Sequence, residues 1–261
     1  MFASSQIQNT VGQTQTLAKK RCKKMNIRGK LTIITGASSG LGAALSVALV
    51  EKGSIVYGLA RNAEKLRGLR NDLGEKFIPV VADITNHKAI SSWVQNTFSN
   101  SYIPGILINN AGTGYFSRID DLPLERWHEM MNTNLNGAFY ITIPIVKLMK
   151  ANQNTCHILN IGSVLGKTTE PESAAYSVTK YGMQGFSESL FKELRSYNIK
   201  VTCVNPGSIE TSFFEDSGIQ SHKNMLQPKD IAAFIIHILE TPDNFLVDEV
   251  TMRPLIPNAP E

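Results

Sequence analysis

Short apolar runs alternate with helix-length segments through most of this chain of 261 residues, and few folds tolerate that alternation. Leu31-Thr32-Ile33-Ile34-Thr35 is a β-branched run that stops at Gly36. Residues 41–52 then carry Leu41, Leu45, Ala48 and Leu49 at helical spacing. The alternation predicts further strands at 54–60, 77–81, 105–108, 157–162, 199–204 and 245–250. Helices are predicted over 62–73, 86–99, 124–150, 174–197 and 228–240. Strands of this length, each followed by a helix, indicate βαβ units and a parallel sheet. Right-handed crossovers put the helices on both faces.

The expected fold is therefore α/β: a Rossmann-type, doubly wound, mostly parallel sheet of about seven strands in a single domain spanning 29–261. Residues 1–28 read as a flexible basic extension. They hold six Lys and Arg and no acid, which leaves 20 basic against 22 acidic residues in the body. Overall charge thus gives no reason to expect nucleic acid as a partner. The extension is open to three readings: an inert tail, an organelle-targeting segment or a surface-binding tail. Met25, just ahead of the first strand, is a candidate natural start.

Cys22, Cys156 and Cys203 form no paired pattern. A reducing, cytoplasmic setting is expected, with organelle targeting through the extension as the alternative. The five His lack metal-ligand spacing, so no metal is expected. No apolar stretch approaches the ~20 residues a membrane span requires.

Between the first strand and first helix lies Gly36-Ala37-Ser38-Ser39-Gly40-Leu41-Gly42. Gly36 allows the turn out of the strand, Gly40 lets backbone approach a pyrophosphate, and Gly42 permits close helix–strand packing. The helix start adds free N–H groups and a positive dipole end. Its position inside a βαβ unit is the context a dinucleotide site requires. Farther on, Tyr176 and Lys180 share one helix face at i, i+4. A nearby ammonium lowers a tyrosine's pKa from ~10 toward the range where proton transfer is efficient. Taken singly, each of these residues also has an ordinary structural explanation.

The Gly-x-x-x-Gly-x-Gly spacing resembles the short-chain dehydrogenase/reductase family, and the resemblance covers about residues 29–252. Asn109-Asn110-Ala111-Gly112 matches its strand-four motif, Asn134 its helix-borne Asn, and Ser163, Tyr176 and Lys180 its Ser and Tyr-x-x-x-Lys. Pro206-Gly207 matches the turn after strand six. The resemblance implies an oxidoreductase moving a hydride between NADP(H) and a carbonyl/secondary alcohol pair, with a small-molecule substrate and a homodimer or homotetramer built on helices 124–150 and 174–197. Within it, Tyr176 donates the proton, Ser163 polarises the substrate oxygen, Lys180 grips the nicotinamide ribose, and Asn134 holds a relay water. A non-catalytic NADP(H) sensor of the same fold is the alternative.

NADP(H) is expected over NAD(H) because Ala60 stands where an acid would bond the ribose 2′-hydroxyl, and Arg61 follows. The plainer reading of Arg61 is a loop cap. By resemblance, Asp83 and Ile84 meet the adenine, Asn110, Ala111, Gly112, Pro206 and Gly207 line the cofactor, and the Ile209 backbone and Thr211 hydroxyl meet the carboxamide. Residues 212–227, with Phe213, Phe214, Gly218, Ile219 and Met225, read as a substrate lid. Gly162 stands where many members carry Ser, which is expected to widen the site. The ending Leu246–Pro254 lies closest to the branch acting on short 3-hydroxy acids and related alcohols, with a hydroxysteroid or a xenobiotic carbonyl as the alternative substrates.

Overall fold

A computed structural model describes residues 24–213 and 221–259. Its sheet has seven strands: β1 (Leu31–Thr35), β2 (Ile55–Ala60), β3 (Phe77–Val81), β4 (Ile106–Asn109), β5 (Cys156–Ile161), β6 (Ile199–Pro206) and β7 (Glu249–Met252). All pairings are parallel, in the order β3-β2-β1-β4-β5-β6-β7. The order reverses beside β1, so the connections that leave β1 and β4 pass to opposite faces of the sheet and open a crevice at the strands' carboxyl ends.

Helices cover both faces, which is why the central strands are continuous apolar runs. Ile34, Ile106 and Ile108 pack against α1 (Gly40–Glu51), α2 (Ala63–Leu73) and α7 (Pro228–Leu239), through Leu45, Leu66 and Ile235 among others. Ile33 and Leu107 point the opposite way, toward α3 (His87–Thr97), α5 (Gly137–Met149) and α6 (Ala174–Leu194). Among the described residues no helix is long and apolar enough to cross a membrane.

Three expectations change. The helix expected over 124–150 is broken: α4 (Leu124–Met130) runs into a π-helical turn at Met131–Asn136 before α5 begins. The strand expected at 245–250 forms at Glu249–Met252 instead. Side chains of β6 take the earlier carbonyls: the buried Lys200 Nζ donates to Phe245 O at 2.8 Å and Thr202 Oγ1 to Val247 O at 2.6 Å. Finally, the end of the segment read as a flexible extension belongs to the body. Met25 and Ile27 are buried in the first core, and Met25 N donates to Thr241 O at 3.4 Å. Residues 1–23 lie outside the described residues.

Candidate active site

The carboxyl ends of the strands open into one cleft of about 680 Å³. Its phosphate-binding corner is built by close backbone approach. Gly36 sits at φ +67°, and a Cβ there would lie 2.8 Å from Ala111 Cα. A Cβ on Gly42 would lie 2.1 Å from Gly36 O, so Gly42 presses α1 against the turn and does not itself line the cleft. Asn110 closes the other side. Its Nδ2 donates to Thr35 O at 2.9 Å and Gly36 O at 3.2 Å, while Thr35 Oγ1 accepts from Asn110 N and Ala111 N, both at 3.0 Å. The Asn110 amide is thus committed to holding two strand exits together. The first turn of α1 carries no acid and the Ser39 side chain caps nothing, so its N–H groups and positive dipole end remain open beside Ser38, Ser39, Gly40 and Leu41 in the cleft wall.

At the ends of β2 and β3, Ala60, Arg61, Asp83 and Ile84 line the same cleft. The cap of α2 is Asn62, whose Oδ1 accepts from Lys65 N at 2.9 Å, so the helix start does not call on Arg61. Asp83 accepts from Thr85 N at 2.9 Å and Thr85 Oγ1 at 2.8 Å. The Thr85 backbone bond, then its hydroxyl and the Arg61 charge, hold this carboxyl below its usual value, so it remains an acceptor.

The other end of the cleft lies at β5, β6 and the start of α6. Tyr176, Lys180 and Ser163 are each more than nine-tenths buried there. Lys180 Nζ donates to Ile161 O at 2.9 Å and lies 5.5 Å from the Tyr176 ring centroid. Burial lowers the Lys180 ammonium to about 8. Burial also raises the Tyr176 phenol above its ordinary value, opposed by a hydrogen bond from Ser163. The lowering expected for Tyr176 from its lysine neighbour is therefore outweighed by desolvation. Ser163 Oγ accepts from Leu165 N at 3.1 Å, which leaves its own proton to point at Tyr176.

Two further residues are fixed by close contacts. Asn134 is buried in the π-helical turn and does not line the cleft. Its Oδ1 accepts from Thr113 N at 2.8 Å, and its Nδ2 donates to Thr113 O at 2.8 Å and Thr179 Oγ1 at 3.0 Å. This amide pins the loop after β4 to α6, one turn from Tyr176, with both Nδ2 protons committed and Oδ1 accepting from Thr113 N. Gly162 does not widen the cleft: a Cβ there would lie 2.0 Å from Asn205 Oδ1, between β5 and β6.

Pro206, Gly207, Ile209 and Thr211 line the cleft beyond β6. Of the segment expected as a lid, Phe213 packs 5.8 Å from Tyr176 and Met225 is buried. Phe214, Gly218 and Ile219 lie outside the described residues. Sequence reasoning missed Phe116, Leu165, Glu170, Glu172 and Ser173, which also line the cleft. They sit on loops without periodicity, and no spacing signalled them.

A family model described as short chain dehydrogenase matches residues 30–221. An uncharacterized oxidoreductase of Staphylococcus haemolyticus (strain JCSC1435) is 36% identical over 230 residues, covering 88% of this chain and 99% of its own. Another, from Staphylococcus aureus (strain MW2), is 33% identical over 230 residues, covering 87% and 97%. Among solved structures, a metagenomic short-chain oxidoreductase in complex with NADP is 27% identical with a TM-score of 0.76, covering 88% of this chain and 99% of that one.

Proposed function

We propose that this chain, which belongs to the short-chain dehydrogenase family, is an NADP(H)-dependent oxidoreductase interconverting a carbonyl compound and its secondary alcohol. The observation that carries this reading is one continuous cleft. It runs from the open α1 N-terminus and Arg61 at one end to the buried Tyr176, Ser163 and Lys180 at the other.

The fit to the cofactor is chemical. The acid-free helix start beside Ser38–Leu41 suits a pyrophosphate. A guanidinium at Arg61, with Ala60 in place of an acid, suits a 2′-phosphate. The solved relative that binds NADP supports the same choice. When bound, the cofactor supplies or accepts the hydride at its nicotinamide.

In the reducing direction, Tyr176 gives its phenolic proton to the substrate oxygen as charge develops there. Ser163, its Oγ fixed by Leu165 N, donates a hydrogen bond to the same oxygen. Lys180 stabilises the phenolate left behind. Asn134 is a positioning residue, holding α6 and the loop after β4 in register through Thr179 and Thr113.

Purified protein titrated with NADPH and NADH by cofactor fluorescence tests the cofactor assignment. NADPH is expected to bind at least about 10-fold tighter; equal affinity refutes the Arg61 role. Tyr176→Phe is expected to keep NADPH binding and lose turnover, whereas unchanged turnover refutes the mechanism. A cofactor sensor instead binds NADPH and turns over no carbonyl at all.

We also propose a homo-oligomer through α5 and α6. Phe139, Ile143, Val178 and Tyr181 on these helices are 40–48% exposed, an unusual density of large apolar groups for free surface. Sedimentation at micromolar concentration is expected to give a dimer or tetramer, and a monomer refutes the proposal.

A further inference from the structure

We infer that the substrate half of the cleft takes an uncharged aromatic or alicyclic ketone, or the matching secondary alcohol, and rejects carboxylates. This rests on the function proposed above and concerns the same site. It runs against the 3-hydroxy acid substrates suggested by the chain's ending.

The first ground is the wall around the reacting hydroxyl. Tyr176 lies between two further rings, Phe116 at 5.3 Å and Phe213 at 5.8 Å, both tilted against it. Leu165 adds an aliphatic side to the same patch. Both phenylalanines are held from behind. Phe213 lies over Gly114, where a Cβ would come within 2.6 Å of its ring. The Phe116 loop is tied across the cleft by Ser117 N donating to Glu172 O at 2.9 Å. Glu172 itself sits at φ +64°, a left-handed conformation costly for a side chain of this size and kept here by that tether. A preformed apolar wall beside the proton donor favours a flat or ring-shaped apolar group next to the carbonyl.

The second ground is charge. Among the described residues, the ionisable side chains lining the substrate half, apart from Tyr176 and Lys180, are Glu170 and Glu172. Lys180 lines the cleft with its Nζ donating to Ile161 O at 2.9 Å. The nearby cations Lys167, Arg118 and Arg126 are in ion pairs with Glu249, Asp120 and Glu129. A carboxylate on the substrate would enter an apolar wall facing two acids, with no cation but the carbonyl-bonded Lys180 among the described residues that line this half, an arrangement that disfavours an ion.

A matched pair tests this with the full chain: methyl 4-acetylbenzoate and 4-acetylbenzoate, which share one ketone and differ by a charge. With NADPH at pH 7, the hydride goes to the carbonyl carbon and the Tyr176 proton to its oxygen, giving the alcohol and NADP⁺. We expect kcat/KM for the ester to exceed that for the acid by at least about 10-fold. The Tyr176→Phe protein loaded with NADPH, titrated calorimetrically with each compound, gives the same comparison without turnover. Phe116→Ala is expected to raise KM for the ester at least about 5-fold with NADPH affinity unchanged. Glu170→Gln/Glu172→Gln is expected to improve the acid alone and narrow the gap.

Equal or better use of the acid overturns the inference. So does binding of neither compound by a protein that still binds NADPH. Selective binding of the ester to the Tyr176→Phe complex, with no turnover by the unmodified chain, supports the pocket assignment and refutes the hydride-transfer reading instead.

Discussion

Replacing Gly162 by Ala is expected to damage this protein far more than one methyl group usually does. The added Cβ would sit 2.0 Å from Asn205 Oδ1 and 3.1 Å from Cys203 Sγ, against an ordinary contact distance above 3.4 Å. Neither strand can retreat cheaply, because Gly162 N donates to Val204 O at 2.7 Å and β5 and β6 are paired along their length. Asn205 must rotate instead. It is fully buried, accepts from Ser163 N at 3.2 Å and donates to Gln184 Oε1 at 3.1 Å, so rotation strands polar groups in the core. Overpacking costs about 1–3 kcal/mol, and an unsatisfied buried N–H about 1–3 kcal/mol more. The sum, roughly 2–6 kcal/mol, corresponds to a Tm lower by about 4–24 °C for a domain of this size. Since the strained bond belongs to the backbone of Ser163, kcat is expected to fall as well.

Asn205→Ala supplies the control. Alone it loses the hydrogen bonds, but it also removes the atom that Gly162→Ala strikes. The double variant is therefore expected to be hardly worse than Asn205→Ala alone, giving a coupling of at least about 1 kcal/mol in a double-mutant cycle. Thermal or urea unfolding at one fixed protein concentration measures all four forms. A Gly162→Ala change within about 0.5 kcal/mol of the parent, or strict additivity of the two substitutions, refutes this account of Gly162.

Other perturbations probe other parts of the molecule. Arg61→Ala is expected to weaken NADPH binding by roughly 10- to 100-fold and NADH binding little, read by cofactor fluorescence; equal losses refute a 2′-phosphate contact. Ile27→Ala, in the segment before β1, is expected to cost about 2–5 kcal/mol because its side chain is 3% exposed within the first core, whereas a neutral change in Tm refutes that packing. Lys180 carries a pH signature. Its folded-state value of about 8 lies below the 10.5 of the unfolded chain, so between those values the unfolded state binds more protons and stability rises with pH. The unmodified chain is therefore expected to gain on the order of 2 kcal/mol relative to Lys180→Met from pH 8 to pH 10, and parallel stability curves refute the desolvated lysine. Tyr176 acts with the opposite sign, but only above pH ~10, where its phenol ionises first in the unfolded chain.

What was legible from sequence follows a physical line. Strands covered on both faces must be apolar throughout, so β1, β2 and β4 announce themselves. A backbone approach as close as that of Gly42 to Gly36 O admits one residue type, so the turn is written in glycine. The places that misled are those where a side chain bonds distant backbone. Lys200 and Thr202 hold the carbonyls at 245 and 247 and delay β7, and nothing in the local pattern of 245–252 reports it. Likewise nothing in the local pattern of 124–150 reports the π-helical turn at Met131–Asn136 that carries Asn134. The substrate half of the cleft was invisible because the Phe116 loop and Glu172 meet across a gap of more than fifty residues through one backbone hydrogen bond, from Ser117 N to Glu172 O.

The proton chemistry shows the same division. The i, i+4 spacing of Tyr176 and Lys180 says that the two groups share a face, and from that alone the lysine is expected to pull the phenol down. Spacing carries no information about burial, and burial dominates here. It pushes the phenol up and the ammonium down, so both groups shift toward their neutral forms. That raises the cost of a free phenolate and keeps the proton on Tyr176 until an acceptor oxygen is in place. It also leaves Lys180 with a proton it can release near pH 8. In the proposed reduction, a phenol that holds its proton at rest, next to a lysine able to give one up, is suited to donating once and being refilled. An exposed tyrosine whose value is lowered only by a neighbouring charge would already be partly ionised before substrate arrived.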